Sequence, residues 1–255
     1  MKQNAPNADV CSLDGKPGGF QHPTPTQNRV LAALTPFALK RLLPSLKKSR
    51  FKTGDTIHVA STPIEHIYFL LSGVVSIRAV TEDGELIDIA LVGNEGVIGI
   101  AGIMSSNCPL FSTHVQIAGE ALEISPQALR SALRRNRHLH DLLLEYAYTL
   151  SEQLGQGVAC LRYHSNEQRI ARHILEIWER MASNPYHLTH AEIATILGRS
   201  RSLITEGAKA LRSKGLIDYS PGRIVITDLE GLKAASCECY AAIVQKIIYK
   251  EIFKS

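Results

Sequence analysis

Apolar residues change their spacing several times along this chain, and each change predicts an element. Residues 29–48 have helical spacing (Val30, Leu34, Phe37, Leu42, Leu46), with Pro36 marking a turn or a helix start. From 51 to 124 the period falls to two. Val75, Ile77 and Ala79 alternate with Ser76 and Arg78, and Ile87, Ile89 and Leu91 alternate with Asp88 and Ala90. Asp83-Gly84 joins these runs, a hairpin signal because this pair accepts the positive φ of a tight turn. Further strands are predicted at 56–60, 67–71, 114–117 and 121–124, punctuated by glycines. Many short strands with close turns predict an antiparallel β-roll, a jelly roll or small barrel.

Pro126 then opens a long helix predicted to run to about His164. Leu143, Ala147, Leu150 and Leu154 alternate spacings of four and three, continued by Gly157 and Leu161 and extended backwards by Leu133, Asn136 and His140. A four-three repeat of this length predicts a coiled-coil seam, hence a dimerisation helix. Asn136 and His140 are expected on that seam. Gly155 and Gly157 each cost about 1 kcal/mol relative to alanine, so they point to close approach or a bend.

Residues 189–211 read as two short helices joined by a glycine turn. Thr189 and Glu192 have capping-box spacing, Ile193 and Leu197 share a face, and Gly198 supplies a backbone able to turn sharply. Ile204, Ala208 and Leu211 restore the apolar stripe, leaving Arg201, Ser202, Thr205, Glu206 and Lys209 outward. Two short β segments around the Ser220-Pro-Gly-Arg223 turn follow, in 213–219 and 224–227, the wing of a winged helix-turn-helix. From Arg199 to Arg223 there are six Lys or Arg against two acids, a footprint suited to a DNA backbone.

At 255 residues two domains are expected. The chain is thus predicted as α+β: a flexible arm over 1–27, a β-roll over 28–128, a dimerisation helix over 129–164, and a winged helix-turn-helix over 165–255. No apolar run approaches the roughly 20 residues that cross a bilayer, and the polar, proline-containing start lacks the core of a signal peptide. A cytoplasmic protein with no membrane partner is expected. Five cysteines fit no evident disulfide framework. Between 79 and 129 there is no Lys or Arg against seven acids, so the basic C-terminal part suits a polyanion and the middle does something else.

The order β-roll, dimerising helix, winged helix-turn-helix resembles the Crp/Fnr family of bacterial transcription regulators. The segments that carry the resemblance are Tyr68-Phe-Leu-Leu-Ser-Gly-Val-Val, Val97-Ile98-Gly99, Gly119-Glu-Ala-Leu-Glu-Ile-Ser125 and Glu192-Ile-Ala-Thr-Ile-Leu-Gly-Arg-Ser-Arg201. The resemblance implies a homodimer on double-stranded DNA, with an effector acting on the roll and RNA polymerase as a further candidate partner. Family members often read bases through Arg, Glu and Arg; here those places are held by Arg201, Ser202 and Glu206, so a different half-site is expected. Thr205 joins the base-reading face, and Arg199, Lys209, Arg212 and Arg223 are the expected phosphate contacts.

Cyclic-AMP-binding members place an acid after the Val-Ile-Gly turn and an Arg before a small hydroxyl residue. Here Ile100 takes the acid's place, and 109–115 contains no Arg. A buried phosphate requires compensating charge, so a signal other than cyclic AMP is expected, in a pocket formed by Gly99, Ile100, Ser112, Thr113 and His114. Members with an iron–sulfur cluster carry cysteines near the N-terminus, where this chain has only Cys11. Cys160 and His164 share a helical face, and with Cys237 and Cys239 they supply four ligands for a metal or thiol-redox site. The favoured expectation is instead a buried Cys160 and two incidental surface thiols, with no metal and no cofactor. No cupin-like histidine set, P-loop or nucleophile elbow is present, and no catalytic residue is assigned. A ligand-independent repressor is the alternative that sequence leaves open.

Overall fold

A computed structural model describes residues 24–104, 108–181, 186–220 and 222–244. Cys11 and most of the predicted arm lie outside these residues. Two short helices, α1 (Arg29–Ala32) and α2 (Pro36–Leu42), precede eight strands. The strands are β1 (Lys47–Phe51), β2 (Thr56–His58), β3 (Ile67–Leu70), β4 (Val74–Val80), β5 (Leu86–Val92), β6 (Val97–Ile98), β7 (Ser112–Ile117) and β8 (Gly119–Ile124). They form two antiparallel sheets, ordered β1-β8-β3-β6 and β2-β7-β4-β5. Leu70, Val75, Val92, Ile98, Val115 and Ala121 fill the space between them. The expected β-roll is present. Buried Asn28 fastens its entry, accepting from the Leu31 N–H and donating to the Leu70 and Gly96 carbonyls, both at 2.9 Å.

Helical spacing did not carry through to 48. Pro36 and its cap Thr35 restart the helix, and Lys47–Phe51 pairs with β8 as an edge strand. Its charges suit an edge, where they discourage pairing with other chains. The alternation read in β5 is interrupted, and part of its apolar side turns outward. A register shift lies between Ile77 and Arg78, and Leu91 packs with the C-terminal half of the chain rather than inside the roll.

The helical half comprises α3 (Pro126–Arg135), α4 (Arg137–Tyr163), α5 (Asn166–Met181), β9 (Tyr186–His187), α6 (His190–Leu197), α7 (Arg201–Ser213), β10 (Ile217–Ser220), β11 (Arg223–Ile226), α8 (Leu229–Ala235) and α9 (Glu238–Ile243). The single long helix expected from 126 is two. Asn136 leaves helical geometry (φ −138°, ψ 95°) and its side chain accepts from the Leu139 N–H at 3.1 Å. Asn136 is therefore an N-cap, not a seam residue. No helix among the described residues is long and apolar enough to cross a membrane.

Helix α5 lies between the roll and the C-terminal module, buried along most of its length, in one core that joins Val74 and Leu91 to Ile170, Ile174, Ile193 and Ile204. Burial, and then the charges of Arg172 and Arg180, hold the His173 imidazole down to about 3. Between pH 6.5 and about 3 the unfolded chain binds a proton that the folded chain does not. This contribution to stability is complete above pH 6.5 and falls by about 1.4 kcal/mol per pH unit on acidification. His173→Gln is expected to flatten the urea-unfolding stability profile between pH 6.5 and 5 by about that slope; an unchanged profile would refute the assignment.

Candidate nucleic-acid interface

The capping box forms as expected: Thr189 N–H donates to Glu192 Oε2 at 2.6 Å, and Glu192 N–H to Thr189 Oγ1 at 3.1 Å. Gly198 ends α6 in the left-handed region (φ 56°), and a Cβ there would meet the Ile87 side chain of β5 at 3.0 Å. The turn glycine is thus also a point of contact with the roll. Ser200 caps α7, a role the sequence reading missed although Ser before a helical run is an ordinary start signal. Ile204, Ala208 and Leu211 are buried, and Gly207 lets α7 approach α5 so closely that a Cβ would meet Ile170 at 2.6 Å.

The opposite face of α7 presents Arg201, Ser202, Glu206 and Lys209, all exposed. Thr205 is less available, because its hydroxyl donates to the Arg201 carbonyl at 2.8 Å and meets His190 Nδ1 at 3.3 Å. Leu203, 38% exposed, adds an apolar contact that the stripe argument overlooked. The wing is a three-stranded sheet ordered β10-β11-β9, its third strand only two residues long and too short to show a period. Arg199 and Arg223 are exposed beside α7 and on the wing. Arg212 is already engaged, 2.8 Å from Asp218 and stacked 5.0 Å over the Tyr219 ring.

The five residues expected to form one effector pocket do not converge. Thr113 points into the roll, where its Oγ1 accepts from the His58 N–H at 3.0 Å, and Ser112 Oγ accepts from the Ala60 N–H at 2.9 Å. Gly99 (φ 82°) backs against the His58 ring, and Ile100 begins a 3-10 turn. His58 is fixed between Thr113 and the His66 carbonyl, and burial lowers its pKa. His114, one residue on from Thr113, faces the other way by the period of two. It lines a cavity of about 230 Å³ with Arg78 and Gln116 on the roll and Glu192 and Thr195 on α6. Burial, then Arg78, lowers the His114 pKa. Arg78 itself pairs with Asp88 at 2.6 Å, and Gln116 donates to the same carboxylate at 2.6 Å.

The predicted seam also shifts. Leu143 is 2% exposed, packed inside the roll's base with Leu31, Phe69 and Leu139. Ala147, Leu150 and Leu154 are only half-buried, and Leu154 faces Ile89 and Phe111 of the roll. The open face runs one residue later: Leu144, Tyr148, Ser151, Gly155 and Val158 are exposed, again at spacings of four and three. His140 is half-exposed beside Asp141.

The thiols require a larger correction. Cys237 and Cys239 are 3% and 0% exposed, not surface residues, because α9 folds its first turn back onto the end of α4. The contact between the Cys160 and Cys237 thiols, together with burial, pushes Cys160 up, while the same contact holds Cys237 below the ordinary thiol range.

A β-roll joined through a long helix to a winged helix-turn-helix with a basic outer face defines a DNA-binding transcriptional regulator carrying a sensor-type domain. Residues 48–136 match the cyclic nucleotide-binding domain and residues 168–235 the Crp-like helix-turn-helix domain. The chain is 22% identical over 210 residues to the CRP-like cAMP-activated global transcriptional regulator of Mycobacterium tuberculosis, covering 80% of this chain and 94% of that one. It is 25% identical to the global nitrogen regulator of a Nostoc species, over 79% and 94% of the two chains. FixK2 of Bradyrhizobium japonicum shares the fold at a TM-score of 0.66 and 16% identity, covering 75% of this chain and 98% of that one. The chain belongs to the Crp/Fnr family.

Proposed function

We propose that the chain works as a cytoplasmic homodimer that sets two α7 helices into successive major grooves of a palindromic site. The observation that carries this reading is the exposed α7 face, with Arg201 at its start beside a wing that carries Arg223. Arg201 pairs with a guanine edge through two hydrogen bonds, Glu206 accepts from a cytosine amine, and Ser202 reads permissively. Thr205 shapes this face from its flank. Arg199, Lys209 and Arg223 contact phosphates, joined by Arg212 when DNA competes with Asp218 for it.

The signal on the roll is not cyclic AMP. Support comes from Arg78, the arginine nearest the cation-free stretch, whose charge is committed to Asp88. Because roll and DNA-binding module share one core through α5, a ligand that rearranges the roll biases the module's position. The test is selection of bound sites from random duplex DNA at fixed salt, with and without cyclic AMP. A palindrome enriched equally in both is expected, and enrichment only with the nucleotide would refute the effector reading. Arg201→Ala is expected to cost about 1–3 kcal/mol of binding and to relax one base position in each half-site. Unchanged sequence preference would remove Arg201 from the reading face.

A further inference from the structure

Four ligand-type side chains with no part in reading DNA meet where α4 ends. Cys160 lies in the last turn of α4 and His164 caps its end, while Cys237 caps the start of α9 and Cys239 lies in its first turn. Their ligand atoms all lie within 4.8 Å of one another. Two of these separations are Cys160 Sγ to Cys237 Sγ, 3.6 Å, and Cys239 Sγ to His164 Nδ1, 3.5 Å. A tetrahedron built with ordinary zinc–sulfur and zinc–nitrogen bonds has edges of about 3.5–3.8 Å. We propose that Cys160, His164, Cys237 and Cys239 hold one zinc ion in a Cys3His site that fastens the DNA-binding module to the dimerisation helix.

The surroundings are those of a ligand set rather than of buried thiols alone. His164 Nε2 lies 3.1 Å from Glu238 Oε1; donating its proton there leaves the Nδ1 lone pair facing the sulfurs. Such a carboxylate behind the imidazole orients a metal-binding histidine. Gln156 Nε2 donates to Cys239 Sγ at 3.0 Å, a bond that favours thiolate. Three thiolates and a neutral imidazole around Zn²⁺ leave one net negative charge. Arg169, on the first turn of α5 just after His164, supplies a nearby buried cation, whereas Arg172 is paired with Glu176 at 3.0 Å. Arg169 is 1% exposed, and its Nε and Nη1 have no hydrogen-bond partner among the described residues. Such a buried cation gains most from a nearby anionic centre.

Binding exchanges the thiol protons still held by the cysteines for one divalent ion and involves no redox step. The close sulfur spacing suits a single ion, whereas a cluster of several irons spreads its cysteine sulfurs over different metals. Hydrophobic burial would explain the sulfurs touching, but not an imidazole turned toward them and braced from behind. Because the ligands come from α4 and α9, occupancy fixes the C-terminal end of the DNA-binding module against the helix proposed to join two protomers. Loss of the ion frees that end.

The test uses the full chain, purified anaerobically under a non-chelating phosphine reductant, with metals measured directly and Co²⁺ as the spectroscopic probe. One zinc per chain is expected, together with tetrahedral cobalt d–d bands and a thiolate charge-transfer band of three-sulfur intensity. Cys239→Ser should lower that intensity by about a third, and Glu238→Gln should weaken metal affinity by about 10–100-fold. His164→Gln removes a ligand outside the sulfur core, so it keeps the test usable if Cys160→Ser fails to fold. Cys108→Ser, exposed and elsewhere, should change nothing. Any of three results would overturn the proposal: no stoichiometric metal, cobalt spectra identical in Cys239→Ser and His164→Gln, or iron with acid-labile sulfide.

Discussion

Arg180→Ala is expected to remove about 3–5 kcal/mol of stability, because it strands a buried carboxylate rather than merely deleting a contact. The Arg180 side chain is 0% exposed at the end of α5 and sits 2.8 Å from Glu95 Oε1, in the turn between β5 and β6. It also donates to the Leu91 carbonyl at 3.1 Å and to the Glu176 carbonyl at 3.1 Å, tying roll and DNA-binding module with one guanidinium. Glu95 keeps a bond from the Gly93 N–H at 3.0 Å, too little to solvate an ionised carboxylate. The measurement is urea unfolding of Arg180→Ala beside the double replacement Arg180→Met with Glu95→Leu. Removing both charges should recover most of the loss, since an apolar pair carries no desolvation penalty. Equal losses in the two variants would mean that packing, not charge, is what Arg180 contributes.

That pair was invisible in the sequence for a physical reason. Glu95 and Arg180 are 85 residues apart, and nothing local distinguishes a charge that will be buried from one that stays solvated. What the sequence displays well is local: the Thr189–Glu192 box, the Asp83-Gly84 turn, the Gly198 turn and the alternation of the longer strands all depend on neighbours a few residues away. Periodicity also places an apolar face without saying what covers it. In β5 the outward Leu91 is apolar because α5 and α6 lie on it, so alternation alone cannot tell inside from outside. The same ambiguity moved the open face of α4 one residue from the predicted series, since Leu143 and Leu144 each begin a four-three series and only the roll decides which is buried. For the thiols, spacing in Cys237-x-Cys239 is an unusual pattern for zinc, and only the return of α9 to the end of α4 brings the pairs together.

In the proposed homodimer, charging the open face of α4 is expected to separate the protomers and, with them, the two α7 helices. Leu144, Tyr148 and Val158 are 57%, 59% and 67% exposed, large apolar side chains on one helix face that a lone chain would leave in water. Between them a Cβ on Gly155 would meet nothing within 4 Å, so the helix offers a flat place for close approach. A second copy of α4 fits this face because the four-three spacing repeats along it and a two-fold contact sets each residue against its own kind. Tyr148→Asp with Val158→Asp then brings like charges together across the axis. Light scattering should report a monomer, and apparent affinity for the palindrome should fall by roughly 10²–10⁴, the advantage that linking two half-site contacts provides. Leu143→Asp separates this face from the one first expected: buried in the roll's base, it should unfold the domain rather than yield a folded monomer. A Tyr148→Asp, Val158→Asp protein that stays dimeric and binds the palindrome undiminished would move the interface off α4.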